Sequence, residues 1–237
     1  MTRRRWIADE VTDNHAALTG ADAAHLARVL RARVGQHFEV VCGEVVRLGT
    51  VASVSDHRVE FDLGERIAAS TSTPLTLLLA VFKFDRMEWA IEKCTELNAT
   101  SIVPVITRRT EKHLAQAAEK RVERWRRIAR EASQQARRSA PPEVGDPVKL
   151  VDALQPSCEL QIVLAETERQ VQLVDILRTR EDAPSLALAI GPEGGWTADE
   201  LQLFKQAGWT AASLGTTILR AETAAISALA LARAQIG

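Results

Sequence analysis

Two glycine-containing segments near the C-terminus combine residue types that favour ligand binding. Residues 189–196 read Ala-Ile-Gly-Pro-Glu-Gly-Gly-Trp, and residues 214–223 read Leu-Gly-Thr-Thr-Ile-Leu-Arg-Ala-Glu-Thr. Glycine lets the backbone approach a bound molecule closely because it has no side chain. Each segment follows an apolar run and precedes a helical pattern, and Thr197 with Glu200 forms a capping box. We therefore predict two strand-to-helix turns that face a ligand, although two ordinary tight turns remain an alternative.

Other common kinds of site are not indicated by the residue spacing. The glycine order is neither G-x-G-x-x-G nor G-x-x-x-x-G-K-[ST], so a nicotinamide or nucleoside triphosphate site is not predicted. A hydrolase would need a nucleophile such as the serine of a G-x-S-x-G elbow, which the chain lacks. The five histidines and three cysteines do not have the spacing of metal ligands, so we predict no metal site.

The elements that must position the two turns alternate between strands and helices. The continuous apolar run 75–82 is typical of a strand that is buried on both faces. Further strands are predicted at 101–106, 160–165, 185–190 and 210–214, and helices at 85–97, 120–138, 171–178, 198–207 and 221–235. This alternation predicts an α/β fold with a mostly parallel sheet, in which ligands bind beyond the carboxyl ends of the strands.

The N-terminal part of the chain has a different pattern. Valine-rich runs predict strands at 37–42, 45–54 and 57–62, interrupted by Gly43 and Gly49 as turn or bulge residues, with a short helix before them in 19–30. Residues 68–74 are small and polar and end in proline, which is typical of a linker. We therefore predict a small β domain over residues 1–70 and an α/β domain over residues 74–237.

The formal net charge of −1 conceals one basic segment. Residues 108–138 carry eleven basic and four acidic residues, a net charge of +7. Within it Arg121, Arg124 and Arg127 flank Trp125, which falls on the apolar stripe of the predicted helix and is therefore predicted to be core. Guanidinium groups pair well with phosphate, so the segment indicates either a polyanion-binding surface or a solvated helix face.

The compartment is indicated by the absence of export signals. No stretch approaches the ~18 apolar residues of a membrane span, and the basic residues Arg3, Arg4 and Arg5 are not followed by the apolar run of a signal peptide. Three scattered cysteines are typical of reduced thiols. We expect a cytoplasmic protein.

Six short motifs, spread over nearly the whole chain, resemble those of a known family. They are Arg4-Arg5-Trp6, residues 26–35 (LARVLRARVG), residues 92–97 (EKCTEL), residues 131–138 with their Glu-Ala-Ser-Gln-Gln and final arginine, residues 190–196 (IGPEGGW), and residues 214–224 with their Leu-Gly and Ile-Leu-Arg-Ala-Glu-Thr-Ala. The last two are the most specific. The chain resembles the RsmE family, the 16S ribosomal RNA uracil-N3 methyltransferases of the SPOUT superfamily.

The resemblance implies an N-terminal PUA-like β-barrel that helps to hold RNA and a C-terminal α/β-knot methyltransferase domain. It also implies a homodimer that uses S-adenosylmethionine to modify 16S ribosomal RNA or the small ribosomal subunit. The residues expected to bind the methyl donor are Ala165, Ile190, Gly191, Pro192, Glu193, Gly194, Gly195, Leu214, Gly215, Ile218 and Leu219. The residues expected to bind RNA are Arg3, Arg4, Arg5, Arg121, Arg124, Arg127 and Arg138.

Methylation at N3 requires the loss of the N3 proton, so negative charge must spread to O2 and O4 of the uracil. We predict that Arg220 stabilises this charge. Glu222 is the nearest carboxylate in the sequence, and it is either a general base or a favourable charge in the first turn of the last helix. Because N3 lies on the Watson–Crick edge, the target uridine must be unpaired or flipped out. Two alternatives remain open: a related methyltransferase with another base or ribose target, and an RNA-binding assembly factor without catalysis.

Four residues at three places depart from the family pattern. Thr216 and Thr217 stand where the family usually has Pro-Arg, which leaves Arg220 as the only basic residue of that turn. Gln134 replaces the usual glutamate and Asn98 the usual glycine.

Overall fold

The computed structural model describes residues 5–43, 45–67, 72–180 and 183–236. The chain folds into two compact units, one formed by residues 1–71 with 130–141 and the other by residues 72–129 with 142–237. Arg3 and Arg4, and residues 68–71 of the predicted linker, lie outside the described residues.

The N-terminal unit is built on one six-stranded sheet. Its elements are β1 (Arg5–Ile7), β2 (Glu10–Val11), β3 (His15–Thr19), α1 (Gly20–Ala24) continued by a π-helical segment (His25–Val29), β4 (His37–Cys42), β5 (Val45–Val54) and β6 (Arg58–Ile67). The strand order is β1-β4-β5-β6-β3-β2, with β1 parallel to β4 and the other pairs antiparallel. The strand predicted at 57–62 is confirmed and is longer than predicted. The strands β1 to β3 were not predicted, because they are too short to show a hydrophobic pattern in the sequence.

Gly49 allows two strands of this sheet to pack closely. A Cβ atom there would lie 2.7 Å from Cγ2 of Val40 and 3.2 Å from Cβ of Phe61, both buried. The pairing of β5 with β6 shifts register between Arg47 and Gly49, and Gly43 has a φ of 65° in the turn after β4. The predicted turn and bulge roles of both glycines are therefore confirmed.

Residues 130–141 are tied to the N-terminal unit by polar contacts. Arg130 donates to the carbonyl of Ile7 at 2.6 Å and to the carboxylate of Asp9 at 2.8 Å. The buried Gln134 donates to Asp22 at 2.8 Å, which explains the departure at this position, because a glutamate would place a second acid against Asp22.

Glu39 joins both segments of this unit. Arg5 donates to it at 2.7 Å and Arg137 also pairs with it. Desolvation raises the pKa of Glu39, but the hydrogen bonds and charges of the two arginines together hold it below its ordinary value. These contacts therefore stabilise the unit at pH values above the ordinary pKa of the carboxyl group, and their contribution is lost as the pH falls through the lowered value.

The C-terminal unit contains a seven-stranded sheet. Its strands are β7 (Leu75–Ala80), β8 (Ser101–Ile106), β9 (Glu143–Val144), β10 (Val148–Lys149), β11 (Leu160–Leu164), β12 (Leu186–Ile190) and β13 (Thr210–Ala212). The order is β10-β8-β7-β12-β11-β13, with β9 beside β8, and every pairing is parallel. The helices are α2 (Phe84–Glu96), α3 (Lys112–Ala117), α4 (Val122–Gln135, whose residues 130–135 belong to the N-terminal unit), α5 (Leu150–Ala153), α6 (Leu173–Arg178), α7 (Ala198–Gln206) and α8 (Ala221–Ile236).

Apolar side chains bury both faces of this sheet. Along β7, Leu77 and Leu79 belong to one buried cluster and Leu78 and Ala80 to the other. The first cluster includes residues of α2, α4, α6 and α8, and the second includes residues of α5 and α7. Trp125 is fully buried in the first cluster, so its predicted core role is confirmed.

The predicted basic helix is longer than the observed one. The sequence predicts a basic helix over 120–138, but α4 runs from Val122 to Gln135, because a 3₁₀ turn (Glu119–Arg121) precedes it and Arg137 adopts a φ of 58°. Helix α2 ends before Asn98, which has a φ of 64°. Glycine or asparagine suits this left-handed position after a helix, so the structure explains why asparagine can replace the usual glycine. No helix among the described residues is both long and apolar enough to span a membrane.

Candidate functional site

Three loops meet at one edge of the parallel sheet of the C-terminal unit. They follow the adjacent strands β11, β12 and β13, whose carboxyl ends lie side by side because the strands pair in parallel. The loops and the flanking strand and helix ends enclose a cavity of about 420 Å³, lined by residues within 164–172, 190–201 and 212–224. This is the position at which α/β sheets bind ligands, and the volume lies in the range of small-molecule sites, about 300–1,000 Å³.

Gly191 holds the second loop against a fixed aromatic wall. A Cβ atom at this position would lie 3.1 Å from Nε1 and 3.2 Å from Cε2 of Trp196. The indole cannot easily retreat, since Nε1 donates to the buried carbonyl of Leu164 at 2.9 Å and the ring packs edge-on to Phe204 at 4.8 Å between centroids. Glycine is therefore required here for close packing.

Gly195 is needed for its backbone conformation, because its φ of 70° lies in the left-handed region that favours glycine. A Cβ atom there would also lie 2.7 Å from Oε1 of Glu166, which lines the cavity from the first loop. The neighbouring Gly194 does not line the cavity and accepts a hydrogen bond from Arg109 through its carbonyl. The glycine pair thus turns the chain while the Arg109 side chain braces it.

The helix that follows the second loop is anchored by a buried carboxylate. Oε2 of Glu200 accepts from the backbone nitrogen of Thr197 at 2.8 Å, while the Thr197 hydroxyl accepts from the nitrogen of Glu200, so the predicted capping box is confirmed. Oε1 of Glu200 accepts from the backbone nitrogen of Arg108 at 2.8 Å. The loop after β8 is therefore fixed to the start of α7.

All residues predicted to bind the methyl donor, except Gly194, line this cavity. The third loop is held at its start, because the hydroxyl of Ser213 accepts from the nitrogen of Gly215 at 3.1 Å and donates to its carbonyl at 3.0 Å. Ile218, which also lines the cavity, is 82% exposed, although large aliphatic side chains are usually covered.

The two predicted catalytic residues occupy different environments. Arg220 is exposed between Leu219 and Ala221, which both line the cavity, and its guanidinium makes no hydrogen bond or ion pair with any residue that the structure describes. Glu222 is buried and does not line the cavity. One of its oxygens lies 3.8 Å from Nε of Arg86, and the other has no hydrogen-bond partner in the described part of the chain.

The predicted RNA-binding arginines are partly engaged with acids. Arg124 donates to both oxygens of Glu88 at 2.7 and 2.8 Å, and Arg121 lies 3.7 Å from the same carboxylate and 4.8 Å above the ring of Phe84. Arg127 is exposed and Arg138 half-buried, and Arg5 pairs with Glu39 as described. Because Glu88 offsets part of the charge of Arg121 and Arg124, the positive charge of this surface is smaller than the number of arginines suggests.

Most of the first loop was not predicted from the sequence. Of its residues only Ala165 was expected at the site, yet Glu166, Thr167, Glu168 and Arg169 also line the cavity. Backbone nitrogens of Gln170 and Val171 donate to Glu168 at 2.7 and 3.1 Å and lower the pKa of its carboxyl. A polar run directly after an apolar strand was the signal that could have found this loop. Among the described residues, no group of three or more His, Cys, Asp or Glu side chains is placed to hold a metal ion.

Comparison with known proteins assigns the chain to a family. The model of an RNA methyltransferase domain matches residues 69–233, and that of an RNA methyltransferase PUA domain matches residues 18–63. The ribosomal RNA small subunit methyltransferase E of Synechocystis sp. is 34% identical over 231 residues, which cover 94% of this chain and 74% of the relative. The chain belongs to the ribosomal RNA small subunit methyltransferase E family.

Further relatives and solved structures are similar to this chain in length and fold. The Mycobacterium tuberculosis protein is 32% identical over 226 residues, covering 90% of this chain and 84% of its own. The crystal structure of the Neisseria gonorrhoeae member, bound to S-adenosyl methionine, superposes with a TM-score of 0.85 at 29% identity over 96% of this chain and 95% of its own. A Legionella pneumophila protein in complex with the same cofactor gives 0.84 at 27% identity, over 98% and 97% of the two chains. The predicted fold class, a PUA-like domain followed by an α/β-knot domain, is confirmed.

Proposed function

We propose that this protein transfers a methyl group from S-adenosylmethionine to N3 of a uridine in 16S ribosomal RNA. The observation that carries the proposal is the cavity at the ends of β11, β12 and β13, formed by the glycine-containing loops of a chain that belongs to the small subunit methyltransferase E family. Its relative from Neisseria gonorrhoeae was crystallised with the same donor.

The lining of the cavity suits this donor. The donor has a flat adenine, ribose hydroxyls and a cationic sulfonium, so it needs apolar walls, hydrogen-bonding backbone and no excess of positive charge. Leu164, Ile190 and Leu201 supply apolar surface, and the glycine turns bring backbone groups to the wall. The carboxylates of Glu166 and Glu168 lie on the same wall.

The bound donor supplies an electrophilic methyl group, and the chain must then help the uracil to become a nucleophile. We propose that Arg220 stabilises the negative charge on the uracil oxygens as the N3 proton leaves. Its position between two lining residues and its lack of a partner among the described residues support this role. For Glu222 two roles are proposed. It either accepts the N3 proton or provides a favourable negative charge in the first turn of α8.

Two other functions are distinguished by experiment. A related methyltransferase with another base or ribose target would use the same cavity, whereas an RNA-binding assembly factor without catalysis would not need to bind the donor. The replacement of Pro-Arg by Thr216 and Thr217, which line the cavity, is the observation that keeps the second alternative open.

The first prediction concerns donor binding. Isothermal titration in the presence of a chelator should show that S-adenosylmethionine binds, because the proposed contacts are backbone and side-chain groups of the chain itself. Its demethylated product, S-adenosylhomocysteine, should compete for the same site. A purified, folded protein that binds neither compound would favour the assembly-factor alternative.

We also propose that RNA is held by the N-terminal domain, residues 1–70, and by basic residues of α4 and of the 3₁₀ turn before it in the methyltransferase domain, residues 74–237. The second prediction is that changing Arg121, Arg124 and Arg127 to glutamine weakens RNA binding. The slope of log Kd against the logarithm of the salt concentration should fall by roughly 2, because each lost contact with a single-stranded phosphate lowers this slope by about 0.7.

Two controls sharpen this test. Changing Lys149, Arg178 and Arg180 to glutamine removes the same charge from exposed positions outside the basic segment and should leave the salt dependence unchanged. The single variant Glu88→Gln should keep or increase RNA affinity, because it removes the acid that Arg121 and Arg124 share. Unchanged RNA binding by the triple arginine variant would identify the segment as a solvated helix face.

We further propose a cytoplasmic homodimer with α8 at or near its two-fold interface. Leu231 of α8 is 36% exposed, and Trp89 of α2, a helix that packs against α8, is 47% exposed. Burial of these side chains against a second copy would be favourable. Light scattering at micromolar concentration should give twice the mass of the chain, and a monomer there would contradict the proposal.

A further inference from the structure

One guanidinium group joins two carboxylates from separate parts of the C-terminal unit. Arg86 lies in the first turn of α2, where Nη1 donates to Oε1 of Glu193 at 2.7 Å and Nε lies 3.8 Å from Oε1 of Glu222. Glu193 belongs to the loop after β12 and lines the cavity, whereas Glu222 belongs to the first turn of α8. Arg86 therefore ties a cavity loop to the start of the last helix.

The burial of Glu222 makes this connection important. Its side chain is only 6% exposed, compared with 31% for Arg86 and 32% for Glu193. A buried carboxylate is tolerated when a counter-charge and hydrogen bonds compensate for the loss of water. Arg86 is the one cation that forms an ion pair with Glu222 in the part of the chain that the structure describes.

We propose that Arg86 is a positioning residue for methyl transfer. It holds the donor loop through Glu193 and the segment that carries Arg220 through Glu222, and so sets the distance between the donor and the group that stabilises the uracil. In-line transfer is sensitive to this distance, because a displacement of about 1 Å can cost on the order of a hundredfold in rate. The inference rests on the proposed function, in which the cavity holds the donor and Arg220 faces the uracil.

The geometry distinguishes arginine from lysine at this position. The two contacts use different nitrogens of one planar group, Nη1 for Glu193 and Nε for Glu222. An ammonium group is a single point of charge and cannot reproduce the fork. Arg86→Lys should therefore keep the charge but satisfy only one of the two carboxylates.

The test compares Arg86→Gln, Arg86→Lys, Glu193→Gln and the double variant Arg86→Gln/Glu193→Gln, with Arg178→Gln as an exposed control of equal charge change. The measurements are donor affinity by titration, the single-turnover rate at saturating donor, and the melting temperature. We expect Arg86→Gln to lower the saturated rate at least about tenfold and to weaken donor binding severalfold. Arg86→Lys should recover part of the rate, and Arg178→Gln should match the wild type.

The double variant separates positioning from general stabilisation. If Arg86 acts on the donor through Glu193, the double variant should bind the donor no more weakly than Arg86→Gln alone. The proposal is overturned if folded Arg86→Gln transfers methyl groups at the wild-type rate, or if the two single effects on donor affinity multiply. Should Arg86→Gln fail to fold, Arg86→Lys decides: a lowered rate at an unchanged melting temperature supports the proposal, and a wild-type rate overturns it. A wild-type protein that binds no donor would instead refute the proposed function.

Discussion

Replacing Arg220 with alanine is expected to lower the rate of methyl transfer roughly a hundredfold or more while leaving donor affinity nearly intact. The charge that this guanidinium meets develops mainly in the transition state, so ground-state binding gains little from it. Loss of one such electrostatic contact typically has an effect of this size. The exposed side chain has no partner among the described residues, so its removal should not disturb the fold.

Arg220→Lys should restore only part of the rate, because an ammonium lacks the planar fork that can contact two acceptors together. Single-turnover kinetics measured beside donor titration checks both variants. A folded alanine variant with a normal rate would end the catalytic assignment. Joint loss of thermal stability and donor binding would show that Arg220 braces the loop instead.

Gly191→Ala should cause a large loss of donor affinity. The new methyl group would lie 3.1–3.3 Å from three atoms of the Trp196 ring, which is held by its hydrogen bond to Leu164 and by packing on Phe204. Overpacking of this kind costs about 1–3 kcal/mol. If the loop shifts to relieve it, donor affinity should fall roughly tenfold to a hundredfold.

Gly145→Ala is the matched control for this variant. Gly145 lies in the same unit, has no positive φ, and a Cβ atom there would meet its nearest atom, the carbonyl oxygen of Ile102, at 3.9 Å. Its donor affinity and melting temperature should equal those of the wild type. Wild-type donor affinity in Gly191→Ala would show that the loop after β12 is not part of the donor site.

The sequence was most informative where local patterns determine the structure. The apolar run of β7 predicted a strand covered on both faces, and the capping box of Thr197 with Glu200 located the start of α7. The two glycine segments were correctly placed at strand ends, because glycine at a strand-to-helix turn is a local requirement.

The sequence was least informative where distant residues meet. The sequence does not single out the first loop, because Glu166 and Glu168 look like any surface acids until β11 brings Glu166 beside Gly195 and both to the cavity wall. The pairing of Arg86 with Glu193 spans 107 positions, and no spacing rule connects them. Similarly, the sequence does not show that Glu88 offsets the charge of Arg121 and Arg124, because it does not predict how α2, which carries Glu88, packs against the basic segment.

Methylation of uridine at N3 is most directly tested on small ribosomal subunits from a strain that lacks this gene. The subunits would be incubated with the purified protein and S-adenosylmethionine labelled in its methyl group, and the 16S ribosomal RNA digested to nucleosides for mass spectrometry. We expect label in 3-methyluridine, present with the wild-type protein and greatly reduced with Arg220→Ala. Label in any other nucleoside, or no transfer by a protein that binds the donor, would contradict the proposed function.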